Sequence, residues 1–332
     1  MAMRPFEYLR VSDAASAASA IGGVPGAQFL AGGSNLVDLM KEDIERPTRL
    51  VDIRQLPLRQ IQRSRAGLSL GALATNTETA NHPLVRENYP LLTQAIVAGA
   101  SGQLRNMATN GGNLLQRTRC NYFYDTASPC NKREPGTGCG AREGLNKIHA
   151  VFGWSDACVA TYPGDMANAL YALDASVRVR ATDGRERLVP IADLHRLPGD
   201  TPQHDTNLAH GDLIVAIELP VASAEFARHC HYLKVRDRSS YAFAMVSVAA
   251  ALQLEGGTIR QARVVLGGVA HKPWRSAEAE AALVGQRADE AVFAKAAQAA
   301  LSGARPLAHN GYKVELGQRS VVRALMRAAQ WV

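Results

Sequence analysis

Hydrophobic positions along the chain change period several times, and each change marks an element. "AQFLAGG" from Ala27 is a short apolar run ending in Gly32 and Gly33. "NLVDLMKEDI" follows with Leu36, Leu39 and Met40 at helical spacing, so the segment predicts strand, turn, helix. "RLVDI" from Arg49 predicts another strand. "LSLGALAT" from Leu68 restarts strand character, and "PLVRENYPLLTQAIVAGA" from Pro83 predicts a helix. Further on, "ACVATYPGDMANALYALDASVRVRAT" predicts strand, turn, helix, strand, with Asp165 at the turn and Ala167, Leu170 and Leu173 on one helical face. "DLIVAIELP" from Asp212 is a strand closed by Pro220, and "VASAEFARH" is a link.

The remainder begins with the strand "CHYLKVRDR". "AMVSVAAALQLEGGTIRQARVVLGG" then has Gly256 and Gly257 between two runs of small and branched residues, the pattern of a hairpin. Three helices, "SAEAEAALVG", "ADEAVFAKAAQAALSG" and "LGQRSVVRALMRAAQ", finish the chain. The expected division is residues 1–222, in subdomains of about 1–60 and 61–222, followed by 223–332.

At 332 residues, 47% apolar and 20% charged, the chain has the make-up of a folded protein of roughly two domains. Its net charge of +7 comes from scattered arginines, and with 6% aromatics no basic and aromatic residues alternate as a nucleic-acid platform requires. An anionic cofactor and partner subunits fit this charge better. Glu7, Arg10 and Asp13 interrupt the amino-terminal apolar positions, so no secretory signal is expected there. The longest apolar run, Ala242 to Leu254, is shorter than the roughly 20 residues that span a bilayer.

Two glycine-rich stretches and one cysteine cluster carry the candidate chemistry. In "AGGSNL", residues Ala31, Gly32, Gly33, Ser34, Asn35 and Leu36 either form an anion-binding nest of main-chain N–H groups or are simply a strand-to-helix turn capped by Ser34. "GASGQLRNMATNGGNLLQRT" gathers Thr109, Gly111, Gly112 and Asn113, the signature of a second close backbone approach or of turn chemistry. Four of the five cysteines, Cys120, Cys130, Cys139 and Cys158, fall within a span of 39 residues. None of them forms the C-x-x-C pair usual in zinc ribbons and ferredoxins, which counts against a zinc site; four thiolates can hold either zinc or an iron-sulfur cluster, or the four are unrelated free thiols, and the stretch "NKREPGTG" reads as flexible enough to wrap the larger object. Cys230 reads as a small core residue. The nine histidines show no metal-binding spacing and read mostly as surface or satisfied core residues, and Ser34 lacks a nucleophile-elbow context.

Taken in order, "FLAGGSNLVDLM", "LSLGALAT", "ASGQLRNMATNGGNLLQ", "VATYPGDMANAL", "YLKVRDRSSYAFAMVSVAAAL" and "VVLGGVAHKPWR" resemble the FAD-binding subunits of the xanthine dehydrogenase and molybdenum hydroxylase family, over nearly the whole chain. The cysteine-bearing insert, residues 114–158, narrows the resemblance to the bacterial periplasmic aldehyde oxidoreductase branch, whose flavin subunit has an extra [4Fe-4S] cluster. The resemblance implies an α+β fold: a two-subdomain FAD-binding domain of the vanillyl-alcohol-oxidase-like type, then a C-terminal domain with a three-stranded sheet and helices. No GxGxxG fingerprint is present, in keeping with that fold.

By the same resemblance, Ala31 to Leu36 hold the FAD pyrophosphate and Thr109 to Asn113 form a second wall. Asp165 binds the ribityl and adenosine side, Lys234 lies near the flavin pyrimidine edge, and Cys120, Cys130, Cys139 and Cys158 ligate the cluster. The implied partners are a large molybdenum-cofactor subunit, a small [2Fe-2S] subunit and an external electron acceptor. The implied location is the periplasm, reached by export with a signal-bearing partner, with the cytoplasm as the alternative. Two other functional readings remain: the flavin subunit of a 4-hydroxybenzoyl-CoA reductase-like enzyme, and a zinc-bearing structural or nucleic-acid-binding module.

Overall fold

In a computed structural model, which describes residues 3–330, the chain builds three sheets in succession. The first is wholly parallel, in the order β1 (Glu7–Arg10), β3 (Arg49–Asp52), β2 (Ala27–Leu30), with α1 (Ala14–Ile21) and α2 (Leu36–Lys41) in the connections. Alternation of Leu50 and Val51 with more exposed neighbours is absent because β3 is the central strand and is covered on both faces.

The second sheet is antiparallel, in the order β4 (Ile61–Ser64), β5 (Gly67–Gly71), β8 (Leu213–Pro220), β6 (Ser176–Arg180), β7 (Glu186–Pro190). Between β5 and β6 the chain makes α3 (Asn76–Asn81), α4 (Pro83–Asn88), α5 (Pro90–Ala98), α6 (Gly102–Met107), α7 (Asn110–Leu114), the short turns α8 (Asn121–Tyr124) and α9 (Gly140–Glu143), and α10 (Asp165–Ala172). A further short helix, α11 (Ile191–Leu194), follows β7, and a 3-10 stretch, Val221–Arg228, leads on from β8.

The third sheet is an antiparallel meander of β9 (Cys230–Val235), β10 (Val246–Glu255) and β11 (Thr258–Gly267), with the two-residue β12 (Trp274–Arg275) added at its edge. Gly256 and Gly257 have φ of +57° and +82°, the left-handed pair that a two-residue hairpin needs. Helices α12 (Ala277–Leu283), α13 (Glu290–Leu301) and α14 (Tyr312–Ala328) pack on one face of this sheet. There Val246, Val248, Ala250 and Leu252 join Phe293, Val321 and Leu325. The opposite face presents Ala249, Ala251 and Val265 to the core of the second sheet, with α5 and α10 between them. Burial on both faces explains why "VSVAAAL" is continuously apolar, and small alanines let helices approach closely.

Two local expectations are corrected. The helix expected from Pro83 divides into α4 and α5: Tyr89 sits between them with φ −136° and ψ 51°, and Pro90 starts the second helix. Proline disfavours helical geometry in the residue before it, so the break is local chemistry. The strand expected at "ACVATYP" does not form. Its backbone partners are scattered, with Ala150 N–H donating to Val159 and Tyr162 N–H to Ala270.

Candidate cofactor site

The carboxyl end of β2 opens into the loop Ala31 to Asn35. An ideal Cβ on Gly32 would lie 1.9 Å from the Met107 carbonyl oxygen, so this loop packs backbone to backbone against the end of α6. Gly33 has φ +71°, a left-handed conformation that a side chain would strain. Among the described residues, none accepts a hydrogen bond from the backbone N–H of Gly33, Ser34 or Asn35. The Asn35 side-chain oxygen accepts from the Arg117 N–H at 2.9 Å, while its buried Nδ2 has no partner. Unspent donors at a strand end are what an anionic cofactor requires.

The opposing wall is the start of α7. Thr109 caps it, its Oγ1 accepting from the Gly112 N–H at 3.3 Å, while Asn110 and Gly111 donate their N–H groups to Ala74 and Ala72. A cleft of about 970 Å³ lies between the walls, lined by Ala31 to Leu36 together with Thr109, Gly111 and Gly112. That is at the upper end of the usual range for cofactor sites. Asn113 is not among the lining residues. It braces the wall from behind, its Nδ2 donating to Asn76 Oδ1 at 2.9 Å.

Asp165 and Lys234 lie away from the lining of this cleft but next to each other. Lys234 Nζ is 2.7 Å from Asp165 Oδ2 and also donates to the Ala98 carbonyl, and Tyr232 donates its hydroxyl to Asp165 Oδ1 at 2.7 Å. Asn76 links this station to the second wall, because its Nδ2 donates both to Asn110 Oδ1 and to the sulfur of Met166, the residue after Asp165.

The far side of the cleft is made by the start of β8 and by residues 203–211 before it, an irregular, mostly polar stretch that carried no sequence signal. Its anchor is Asp205, which accepts from Arg117 at 2.7 Å and from Lys132 Nζ at 2.6 Å. Arg117 also reaches Glu45 beyond α2 at 2.5 Å. Burial raises the Asp205 carboxyl, but the two cations outweigh it and hold the group down at about 2.

Lys132 belongs to the cysteine-bearing insert, so the cleft and the insert share this ionic cluster. The insert is tightly tied, contrary to the flexibility expected of "NKREPGTG". Cys130 and Cys139 face each other as an antiparallel bridge, and the Asn131 side-chain oxygen accepts the N–H groups of Gly136 and Gly138. Arg133 clamps the carbonyls of Tyr122 and Phe123. Cys120, Cys130 and Cys158 are buried, Cys139 is half-buried, and all four pack in one cluster with Phe123, Leu39 and Val159.

Burial pushes the Cys120 thiol up to about 12. The Cys158 thiol donates to Cys139, which lowers Cys139 and raises Cys158. Among the described residues no three His, Cys, Asp or Glu side chains converge on a single ion position. Four gathered thiols are a donor set that either zinc or an iron-sulfur cluster can take. Two histidines that the sequence placed with the bland majority touch this cluster: His149 Nε2 lies 3.1 Å from Cys120 Sγ and His271 Nε2 lies 3.3 Å from Cys158 Sγ. Both are buried, and burial depresses both rings, His149 to about 4. Cys230, as expected, packs half-buried against the main core.

A third buried histidine, His195, faces the Leu114 carbonyl at 2.8 Å through Nε2, just behind the second wall. Burial lowers it from 6.5 to about 4. The unfolded chain therefore binds a proton between these values that the folded chain does not, so stability falls as the pH drops from 6.5 toward 4. For His195 the expected loss is about 3 kcal/mol. Urea unfolding at pH 7 and 4.5 checks this: His195→Gln should shrink the difference between the two pH values, and an unchanged difference would show that His195 takes up its proton in the folded state.

A cleft with unspent main-chain donors and two glycine walls, outside any dinucleotide fingerprint, defines a site for an extended anionic cofactor. Residues 4–222 match the FAD binding domain in molybdopterin dehydrogenase, and residues 231–328 match the CO dehydrogenase flavoprotein C-terminal domain. The chain is 50% identical over 327 residues to the aldehyde oxidoreductase FAD-binding subunit PaoB of Escherichia coli, covering 98% of this chain and 99% of that one. It is 27% identical to the glyceraldehyde dehydrogenase medium chain of Sulfolobus acidocaldarius, covering 86% of this chain and 83% of the relative. Among solved structures, quinoline 2-oxidoreductase from Pseudomonas putida superposes with a TM-score of 0.76 at 25% identity, over 100% of this chain and 99% of that one.

The chain belongs to the family of FAD-binding subunits of the molybdenum hydroxylases. It is thus an oxidoreductase subunit, and the residues of the cleft fit its FAD. Among the described residues no helix is long and apolar enough to cross a membrane.

Proposed function

We propose that this chain is the FAD- and [4Fe-4S]-carrying electron-exit subunit of a heterotrimeric, molybdenum-dependent aldehyde oxidoreductase. The observation that carries the reading is the presence in one chain of the glycine-walled cleft and a packed group of four cysteines, three of them buried, joined through Asp205. The 50% identity to an aldehyde oxidoreductase subunit supports the substrate class. In this reading an aldehyde is oxidised to the carboxylic acid on a large molybdenum-cofactor subunit. Electrons cross [2Fe-2S] centres of a small subunit, reach this chain and leave to an external acceptor.

When bound, FAD supplies the redox chemistry that joins these electron donors to that acceptor. The residues of this chain bind and tune. The N–H groups of Gly33, Ser34 and Asn35 meet the pyrophosphate, Ala31, Gly32 and Leu36 shape that loop, and Thr109, Gly111 and Gly112 form the second wall with Asn113 bracing it. Asp165 and its ion-pair partner Lys234 lie outside the lining of that cleft and would meet the ribityl side and the pyrimidine edge where FAD extends beyond it. Cys120, Cys130, Cys139 and Cys158 hold the cluster. No side chain here acts as an acid or base. The complex is exported folded to the periplasm with a signal-bearing partner; recovery with cytoplasmic markers on fractionation would remove that part of the reading.

Anaerobic addition of an aromatic aldehyde to the assembled complex tests the direction of flow. The flavin absorption should bleach, with carboxylate formed in step. A flavin that stays oxidised while aldehyde is consumed would contradict the exit role. Reduction by an external donor alone would favour a 4-hydroxybenzoyl-CoA reductase-like enzyme.

A further inference from the structure

The two histidine contacts to the cysteine cluster come from well-separated parts of the chain. His149 lies within the insert. Its backbone N–H donates to the Asn146 carbonyl, and its own carbonyl accepts from Asn310 Nδ2 at 3.2 Å and from the buried Lys313 Nζ at 2.9 Å. His271 follows β11 in the C-terminal domain and reaches across to Cys158. Each ring is almost wholly enclosed, at 1% and 8% exposure, and each turns Nε2 to a sulfur while its Nδ1 is buried without a partner among the described residues.

An imidazole with one N–H donates through one nitrogen only. A metal-bound thiolate offers lone pairs and no proton, so a ring facing it is satisfied only when Nε2 carries the hydrogen. Hydrogen bonds to the sulfurs of an iron-sulfur cluster stabilise its more negative, reduced form and so raise its potential.

We infer that His149 and His271 are positioning residues of the cluster, each donating its Nε2–H to a ligand sulfur, one from either domain, and together setting the cluster's reduction potential upward. This rests on the [4Fe-4S] reading above. It gives the C-terminal domain a part in tuning a centre whose ligands all lie in the preceding domain. It also distinguishes the two rings from metal ligands, since neither replaces a cysteine.

The test is a redox titration of the assembled complex, followed by the EPR signal of its four-iron cluster, in wild type, His149→Leu, His271→Leu and the double variant. Iron and flavin contents are measured on each sample. The Leu variants should keep their iron and show a lower midpoint potential, with the shifts adding in the double variant. His149→Gln, which restores an N–H, should recover part of the shift. Unchanged potentials with iron retained would overturn the inference.

Wild-type protein labelled with 15N-histidine gives a second measurement that needs no variant to fold. Weak 15N couplings in the pulsed EPR of the reduced cluster are expected from a hydrogen bond through sulfur. Absence of any coupling, or a strong one from direct ligation, would overturn it. Wild type with no iron beyond its partners' centres, and no four-iron signal, would instead remove the cluster reading itself.

Discussion

Gly32→Ala should cost the protein its flavin. The added methyl would sit 1.9 Å from the Met107 carbonyl oxygen and 3.2 Å from Ala108 Cα, both backbone atoms that no rotamer change can move aside. The loop must then shift away from α6, and with it the donors of Gly33, Ser34 and Asn35. Forced overpacking of this kind costs about 1–3 kcal/mol, enough to weaken flavin binding by roughly 5- to 150-fold. Gly102→Ala is the control, because a methyl there meets nothing within 4 Å. Flavin content after purification, read from the absorption spectrum, should fall for the first variant and not for the second. Equal flavin in both would mean that the Gly32 approach does not form the cofactor wall.

Asp205→Ala should loosen two centres at once. Lys132 is 3% exposed, and without the carboxylate its ammonium keeps, among the described residues, only the Pro202 carbonyl at 2.7 Å, while Arg117 keeps Glu45. Breaking a buried pair costs about 3–5 kcal/mol; the lower end applies here, since the Asp205 side chain is 29% exposed and water can partly replace it. The expected results are a lower unfolding midpoint, easier flavin loss from the cleft and easier iron loss from the insert. Lys132→Met tests the same link from the other side. It removes the buried charge rather than stranding it, so it should destabilise less. If Asp205→Ala altered stability but neither cofactor, the ionic cluster would be mere scaffolding.

How far these features were legible in the sequence depended on whether their cause was local. The Gly32–Gly33 turn was visible because a left-handed residue and a zero-clearance approach both demand glycine. Gly256 and Gly257 announced the hairpin for the same reason. The break before Pro90 is also local chemistry, and an apolar period running through it concealed it. Residues whose roles depend on distant partners stayed silent. Asp205 lies in an unpatterned loop and acquires meaning only from Arg117 and Lys132, 88 and 73 positions away. His271 stands 113 positions from Cys158. "ACVATYP" has strand composition, but no neighbouring strand offers it a ladder, and composition alone cannot show that.

The measurement that bears most directly on the account is flavin and iron analysis, with an absorption spectrum, of the purified complex in wild type and in Cys130→Ser. The account predicts that the variant keeps its flavin and loses iron equal to about one four-iron cluster, because Cys130 is buried among the other three thiols and serine is a poor substitute for a thiolate ligand. Flavin retained with iron unchanged would contradict it, leaving an FAD subunit whose four cysteines hold no iron-sulfur cluster.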